Sequence, residues 1–340
     1  MSHLPPTQDD RLIWDIWQSQ YRLPVTTVAD ETGLFRALAE GASTTQELAR
    51  GLSLDPHALS ILLGALASSG LAERREGKWR ALPAARTWLH PDAAGYWGGF
   101  LGRFRETIPL HGQLLEALRT GTRPSGVVAG APEWERGQMS AEAAQRIGAF
   151  MHAHSQAPAL GMAAQGVFGT IGSLMDVGCG SGVYGIEIAR AHPRLRVTLL
   201  DLPAMAGEAG RYVARAELED RVATHPCNMF EEQWPQGHDA HFFSNVFHDW
   251  SPETNRMLAR KSFAALPSGG RILLNEILMD DDGTGPWYAS AFSLMMLLGT
   301  LGKQYSLPEY REILESAGFT QVEAVRTGGG YYSLVSAVKP

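Results

Sequence analysis

The sequence predicts an α/β protein, in which a doubly wound, mostly parallel seven-stranded sheet follows an α-helical, winged-helix-like domain. From residue 171 onward, short apolar runs alternate with helical stretches, which is typical of a parallel sheet covered by helices on both faces. A glycine-rich turn, residues 176–182, follows the first apolar run and opens a helix. The chain before residue 90 instead shows three helical patterns and then a hairpin pattern.

The C-terminal elements are predicted from apolar runs bounded by turn residues. The last helix is expected at Leu307–Ala317, and the two final strands, joined by a turn at Gly328–Gly330, are expected to form an antiparallel edge. The predicted strands are Ser173–Val177, Arg196–Asp201, Val222–Cys227, His241–Asn245, Arg271–Leu278, Gln321–Arg326 and Tyr331–Val338.

The N-terminal segment, residues 1–90, has clear helix-start signals. Thr44–Glu47 is a capping box, and Asp55-Pro56 places an N-cap before a proline at the first helical position. The helix that follows has no lysine or arginine, although basic residues occur in the hairpin at 71–82, which turns at Glu76-Gly77. Because helices that read a DNA groove normally carry basic or amide side chains, a dimerisation and substrate-lid role is favoured over DNA binding.

A connector is predicted at residues 91–170. It contains helical stretches at Phe100–Leu118 and Ala141–Ala164, separated by the Gly/Pro-rich segment Gly121–Pro132. Its apolar side chains could line a pocket or pack in a core, and packing is favoured. They are Trp97, Phe100, Phe104, Leu110 and Leu114.

The composition is that of an ordinary soluble globular protein, with 340 residues, 44% hydrophobic and 19% charged. The net charge of −7 disfavours a general affinity for nucleic acid or anionic membranes. No apolar run reaches the ~20 residues of a membrane span and no signal-peptide core precedes the helices, so a cytoplasmic protein is expected. Cys179 and Cys227 form no disulfide framework. His152, His154 and His225 form no recognisable ligand set, so no metal is expected.

The glycine turn is suited to a nucleoside-bearing ligand. Glycines allow the backbone to approach the ligand closely, and Asp201 lies at the distance along the chain where a carboxylate binds a ribose diol. Asp176 precedes the first glycine, where it would repel a pyrophosphate but attract a cationic amino group. The third glycine, Gly182, also comes one residue too early for a dinucleotide fingerprint. The turn therefore resembles the S-adenosylmethionine site of class I methyltransferases more than a nicotinamide site.

A histidine loop follows the fourth predicted strand. Ser251-Pro252 starts the next helix, which leaves His248 in a short loop at the same sheet edge as the glycine turn. Glu276 ends the neighbouring strand, at the same edge. A neutral imidazole that a carboxylate orients is a suitable general base, so His248 and Glu276 are predicted to act together.

In order and spacing, these motifs resemble those of the plant-type and bacterial small-molecule O-methyltransferases, which include caffeate, hydroxyindole and polyketide-tailoring enzymes. The resemblance covers nearly the whole chain and rests most on His248-Asp249-Trp250 and Asn275-Glu276. It implies a seven-stranded class I methyltransferase domain at residues 171–340 and S-adenosylmethionine as the cofactor. It also implies a homodimer formed through the winged-helix domain, and a connector that contributes to the substrate pocket.

The resemblance implies roles for individual residues. His248 corresponds to the catalytic base and Glu276 to one positioning acid, and Gln304 stands where the family has a second acid. Predicted substrate contacts are Met151, His152, Asp249 and Met295. Predicted cofactor contacts are Ser155, Asp176, Gly178, Gly180, Gly182, Asp201, Leu202, Asn228, Met229, Phe230, Ser244 and Trp250.

Three positions depart from the family pattern. Asn228 replaces an aspartate, although its amide oxygen can still accept from an adenine amino group. Ser244 replaces the lysine of plant members. Gln304 can accept a hydrogen bond from an imidazole but cannot stabilise an imidazolium as a carboxylate would.

The predicted reaction is methyl transfer to a hydroxyl, most simply a phenol, of a flat aromatic or polyketide-like metabolite in a secondary-metabolic pathway. Gln304 leaves open a more acidic phenol, methylation at carbon, or a fold that no longer transfers methyl groups. A winged-helix regulator that senses a small molecule is the alternative from another class of protein.

Overall fold

Helices form the N-terminal part of the chain. The computed structural model describes residues 10–124 and 134–340. Two 3₁₀ helices, Ser19–Tyr21 and Gly102–Thr107, join the longer elements of the first range. Those elements are α1 (Arg11–Gln18), α2 (Arg22–Glu31), α3 (Leu34–Glu40), α4 (Thr45–Leu52), α5 (Pro56–Ser68), β1 (Ala72–Arg75), β2 (Lys78–Ala81), α6 (Pro83–Trp88), α7 (Gly98–Leu101) and α8 (Pro109–Thr120).

Strands and helices alternate in the second described range. Two 3₁₀ helices, Gly166–Gly169 and Phe247–Asp249, occur among them. The longer elements are α9 (Ala141–Ala163), β3 (Ser173–Val177), α10 (Val183–Ala191), β4 (Arg196–Asp201), α11 (Pro203–Ala216), β5 (Val222–Pro226), β6 (Ala240–Ser244), α12 (Pro252–Ala265), β7 (Arg271–Glu276), α13 (Trp287–Gly299), α14 (Leu307–Ser316), β8 (Thr320–Arg326) and β9 (Ser333–Val338).

The large sheet has seven strands in the order β5-β4-β3-β6-β7-β9-β8 among the described residues. The first five strands of this order pair in parallel, and β9 pairs antiparallel with both β7 and β8. This confirms the predicted fold class, including the antiparallel edge formed by the last two strands. The order reverses between β3 and β6, so their carboxyl ends form the crevice where doubly wound sheets bind ligands.

The chain divides into two compact units by its contacts. The sheet unit contains described residues 10–12, 134–278 and 307–340, and the helical unit contains 13–124 and 279–306. Residues 91–124 and 279–306 pack with the N-terminal helices in this division. The boundaries at residues 90 and 170 stay predictions. In the helical unit, Leu59 and Leu63 of α5 share one buried core with Leu294 and Leu298 of α13.

The helix-start signals of the N-terminal segment are confirmed. Thr44 Oγ1 accepts from the Glu47 backbone N–H, and the Glu47 carboxylate accepts from the Thr44 backbone N–H at 2.7 Å. Asp55 caps α5 through the Ala58 N–H at 2.8 Å. The hairpin turns at Glu76 and Gly77, whose φ angles of 50° and 78° give the twist that a two-residue β-hairpin favours.

The predicted helical stretch Phe100–Leu118 is three elements rather than one. Pro109 begins α8, and Ile108 before it is extended, because a proline restricts the preceding residue to extended backbone and donates no N–H. Leu114 is buried in the core, as the packing interpretation expects, whereas Phe100 is half-exposed. Most of the predicted segment Gly121–Pro132 lies outside the described residues.

Helix α9 packs backbone to backbone against the turn between β8 and β9. A side chain at Gly161 would bring its Cβ within 2.6 Å of the Gly329 nitrogen, so only glycine allows this contact. The Gln165 amide spans the same junction and donates to the carbonyls of Gly161 and Thr327 at 2.9 and 3.1 Å. The turn thereby fixes the position of α9 within the sheet unit.

The buried His241 makes stability sensitive to acid. It lies on β6 with no exposed surface, its Nδ1 is 2.9 Å from Ser262 Oγ, and burial lowers its pKa from 6.5 to about 3. Because the unfolded chain binds a proton at a higher pH than the folded chain, this contribution to stability is complete above pH 6.5 and falls by about 1 kcal/mol per pH unit below it.

We expect His241→Gln to flatten the acid side of the stability profile, because glutamine can bond Ser262 and does not titrate. Urea unfolding between pH 4 and pH 7 measures this as the slope of the free energy of unfolding against pH. His192→Gln is the control, since that histidine is not buried and bonds the Ala163 carbonyl. Equal slopes for wild type and His241→Gln would contradict the assignment.

Candidate active site at the carboxyl edge of the sheet

The glycine turn joins β3 to α10 and forms the floor of the site. Gly178, Gly180 and Gly182 have φ angles of 70°, 55° and 75°, in the left-handed region that favours glycine. A Cβ at Gly178 or Gly180 would lie 2.9 Å from Val246 or Met151, which face the same space. A Cβ at Gly182 would instead meet Leu199 at 2.6 Å, so that glycine serves helix packing.

Two carboxylates flank the turn. Asp201, at the end of β4, accepts from the Gly180 N–H at 2.8 Å and from the Leu202 N–H at 2.7 Å, yet burial raises its pKa to about 6. Asp176, on β3, is 1% exposed, and its Oδ2 has no hydrogen-bond partner. Burial raises the pKa of Asp176 to about 8. Both groups would be stabilised in their charged form by a cation or by hydrogen-bond donors from a ligand.

Two adjoining cavities have this turn in their lining, and the larger encloses about 660 Å³ of empty space, part of it open to solvent. Ten of the predicted site residues line it: Met151, Gly178, Gly180, Asp201, Leu202, Asn228, Met229, Phe230, Asp249 and Trp250. The sequence interpretation missed eight others, which are Trp134, Met139, Ile147, Leu200, Met205, Cys227, Asn245 and Val246. Most of these are apolar residues that a sequence pattern cannot distinguish from core residues.

A smaller, more polar cavity shares Met151, Gly178, Gly180 and Asn245 with the first, so the two spaces adjoin. Three further predicted residues line it, namely Ser155, Asp176 and Ser244. The others are His154, Cys179, Ser181, Val183 and Tyr184. The predicted cofactor residues therefore face one continuous region, apart from Gly182.

The loop after β5 is held in a defined conformation. Asn228 Oδ1 accepts from the Phe230 N–H at 3.0 Å, which leaves one lone pair of the predicted adenine contact for a ligand. The Trp234 indole donates to the Met229 carbonyl at 2.9 Å. Phe230 packs edge to face on Trp250, with ring centroids 4.7 Å apart. These contacts present Met229 to the larger cavity.

His248 lies in the 3₁₀ turn after β6 and is 3% exposed. Its Nδ1 lies 2.9 Å from Glu276 Oε2, and Glu276 Oε1 accepts from the N–H groups of Val246 and Phe247 at 3.2 and 3.1 Å. The fully buried Glu276 is thus fixed at both oxygens. Asn255 also holds the turn, because its side chain donates to the Phe247 carbonyl at 2.8 Å.

Two carboxylates determine the charge of this imidazole. Burial disfavours the imidazolium, but Glu276 and Asp249 outweigh it and raise the pKa of His248. Asp249 Oδ1 lies 3.7 Å from His248 Nε2, and burial raises the pKa of Asp249 to about 7. His248 lines neither cavity itself, whereas Val246 and Asp249 on either side of it line the larger one.

Besides Gly182, His248 and Glu276, three further predicted residues are absent from the linings of both cavities. His152 stacks on Tyr212 with ring centroids 4.2 Å apart and accepts from the Gln156 amide at 2.9 Å. Met295 and Gln304 belong to the helical unit, where Met295 packs on the core and the buried Gln304 donates its backbone N–H to Ser293 at 3.1 Å. The roles of these three residues stay predictions.

Other site types find no support in residues 10–124 and 134–340. No group of three or more histidine, cysteine, aspartate or glutamate side chains in these ranges could hold a metal ion. Both cysteines are buried and free. No helix in the same ranges has the length and apolar character needed to cross a membrane.

Comparisons with known proteins identify the family of this chain. Residues 110–320 match a family model described as an O-methyltransferase domain. This chain belongs to that O-methyltransferase family. The enzyme is 36% identical to the 3-hydroxy-5-methyl-1-naphthoate 3-O-methyltransferase of Streptomyces sahachiroi, over 98% of this chain and 97% of the other.

Two solved structures share the fold of this methyltransferase. An O-methyltransferase family 2 protein from Planctomyces limnophilus, in complex with apigenin, superposes with a TM-score of 0.85 at 24% identity and covers 98% of this chain and 97% of its own. Human N-acetylserotonin methyltransferase, in complex with S-adenosylmethionine, has a TM-score of 0.61 at 23% identity, with 99% of each chain covered. At these identities the likeness concerns the fold.

Proposed function

We propose that this O-methyltransferase transfers a methyl group from S-adenosylmethionine to a phenolic hydroxyl of a small aromatic or polyketide-like metabolite. The observation that carries the proposal is the buried His248–Glu276 pair, 2.9 Å apart, at the same sheet edge as the glycine turn. The naphthoate O-methyltransferase relative supports an acceptor with a hydroxyl on a fused aromatic ring. A tailoring step in secondary metabolism follows as the biological role.

The residues present fit the proposed cofactor. Gly178 and Gly180 leave space that a Cβ would fill, and Met229 offers an apolar surface for a base. Asp201 at the tip of β4 would bind the ribose hydroxyls, and the unpartnered Oδ2 of Asp176 would accept from an ammonium group. When bound, S-adenosylmethionine supplies an electrophilic methyl group on its sulfonium.

His248 supplies the base. A phenol has a pKa near ~10 and is mostly protonated at neutral pH, so an imidazole that removes the proton during attack accelerates the reaction. Glu276 faces Nδ1 at 2.9 Å and keeps a proton on that nitrogen, which leaves Nε2 to accept the substrate proton. The two carboxylates that raise the pKa of His248 then stabilise the imidazolium.

Asp249 supplies the second acid that Gln304 cannot provide. The family pattern expects a second acid near the base, and Gln304 cannot provide one. Asp249 Oδ1, 3.7 Å from Nε2, places a second carboxylate beside the imidazole from its own loop. His248 therefore lies between two acids although position 304 carries an amide.

The homodimer, which the family resemblance implies, and the cytoplasmic location, which the sequence predicts, remain part of this proposal. Helix α1 offers one apolar surface for a second copy. Leu12, Ile13 and Ile16 lie on one face of it and are 68%, 65% and 62% exposed.

Cofactor binding is tested by calorimetric titration with S-adenosylhomocysteine, which is the reaction product and is stable. We expect Asp201→Ala to weaken binding at least about 100-fold, because it removes charged hydrogen bonds to a diol. Asp239→Ala is the matched control, since that carboxylate holds the Gly172 and Ser173 N–H groups at the opposite sheet edge, at 2.8 and 2.9 Å. No binding to the wild type would refute the methyltransferase proposal for this chain.

A further inference from the structure

Tyr184 is a buried side chain that lines the smaller cavity. It is the second residue of α10, 5% exposed, and its hydroxyl has no hydrogen-bond partner of good geometry. Burial raises the pKa of Tyr184 to about 12, so the hydroxyl keeps its proton and is available as a donor at neutral pH. A buried hydroxyl without a partner is costly, which points to a ligand as the partner.

The other polar groups of the smaller cavity define the ligand chemistry. Ser155 and Ser181 supply two more hydroxyls. Ser155 Oγ lies 2.9 Å from Nδ1 of His154, which also lines the cavity, whereas Ser181, 1% exposed, lacks a partner. Asp176 supplies one carboxylate with an unpartnered oxygen. Among the described residues that line the cavity there is no lysine or arginine. A simple anion would leave the unpartnered Asp176 oxygen without a donor, and a simple cation would leave the hydroxyls without an acceptor.

A zwitterion would bind both the hydroxyl donors and the Asp176 carboxylate of this cavity. An α-amino acid group has an ammonium for Asp176 and a carboxylate that accepts from hydroxyls. The smaller cavity adjoins the larger through the four shared residues, so the amino-acid end of a longer ligand can lie there while its other end occupies the larger cavity. This inference rests on the proposed use of S-adenosylmethionine, which has such an end.

We propose that Tyr184 is a cofactor-binding residue whose hydroxyl donates a hydrogen bond to the carboxylate of the amino-acid end of S-adenosylmethionine. The side chains of Ser155, Ser244 and Asn275 lie around the Tyr184 hydroxyl and lower its pKa, although none bonds it with good geometry. The Asn275 amide donates to Ser244 Oγ at 2.9 Å. The carboxylate is thus bound by neutral donors, at a site where Ser244 stands in place of a lysine.

The test compares two ligands that differ in the amino-acid end. S-adenosylhomocysteine carries it, and 5′-methylthioadenosine lacks it. We expect Tyr184→Phe to raise the Kd of S-adenosylhomocysteine by about tenfold or more, because hydrogen bonds to charged groups are the strong class. The Kd of 5′-methylthioadenosine should stay within about twofold of the wild type, because the ligand does not reach the hydroxyl.

Controls separate binding from folding. Tyr184→Phe removes a hydroxyl that makes no hydrogen bond of good geometry within the protein, so the melting temperature without ligand should not fall. Tyr310→Phe changes another buried tyrosine, which packs near Phe247, and should leave both Kd values unchanged. Equal changes for both ligands in Tyr184→Phe, or no change for either, would overturn the role of Tyr184. A wild type that binds neither ligand would instead refute the proposed function.

Discussion

Replacing His248 by alanine is expected to lower turnover by about 10²–10⁴-fold while S-adenosylhomocysteine binds as before. The expected loss of turnover equals the usual contribution of a general base to the rate. Cofactor affinity should hold, because His248 lines neither cavity and the residues that would hold the cofactor are other side chains. Transfer of a labelled methyl group to a panel of phenols and naphthols, at pH 7.5, measures turnover, and calorimetry measures affinity.

The pH dependence of turnover in His248→Ala tests whether His248 acts as a base. A phenol that ionises at high pH no longer needs a base, so the deficit of His248→Ala should narrow as the pH approaches the acceptor's pKa near ~10. His225→Ala, a histidine on β5 outside both cavities, is the control. Near-normal turnover of His248→Ala at pH 7.5 would show that the base has been assigned to the wrong residue.

Glu276→Gln is expected to reduce turnover by at least about 10³-fold, as much as loss of the base itself. The glutamine oxygen can still accept from the Val246 and Phe247 N–H groups, so the turn should fold. Its NH₂ group would then face His248 Nδ1 and donate to it, which places the proton on Nε2, the nitrogen that must accept. A wrong tautomer of this kind costs about 10⁴-fold in a histidine–carboxylate pair of a hydrolase.

Comparing Asp249→Asn with Glu276→Gln distinguishes the roles of the two acids. Asp249 lies 3.7 Å from Nε2 and does not fix the tautomer, so its replacement should shift the acidic limb of the pH–rate profile to lower pH and lower turnover less than Glu276→Gln. Turnover of Glu276→Gln within a few-fold of wild type would mean that Glu276 does not orient the base.

The sheet could be predicted from sequence because its strands are apolar runs that end in glycine, proline or charged residues. The bounds of β3 and β4 are those predicted, and Asp176 and Asp201 follow from them. The capping signals at Thr44 and Asp55 act over three or four residues, so they too can be read locally.

Features that depend on contacts distant along the chain could not be predicted. Trp134 and Met139 line the larger cavity, but their sequence surroundings are those of packing residues. Tyr184 follows the glycine turn at a position where helical periodicity predicts core. The glycine motif predicts that Gly182 contacts the ligand, whereas a side chain at this position would instead meet Leu199 on β4.

The chain's path has a consequence for protein engineering. Residues 279–306 leave the sheet unit after β7, complete the helical unit, and return before α14. A chimera made with one crossover between residues 124 and 134 would therefore combine α5 of one parent with α13 of the other, across a shared buried core. To exchange the helical unit between relatives, both of its stretches must be transplanted. The two sides of the core that α5 and α13 share then come from the same parent.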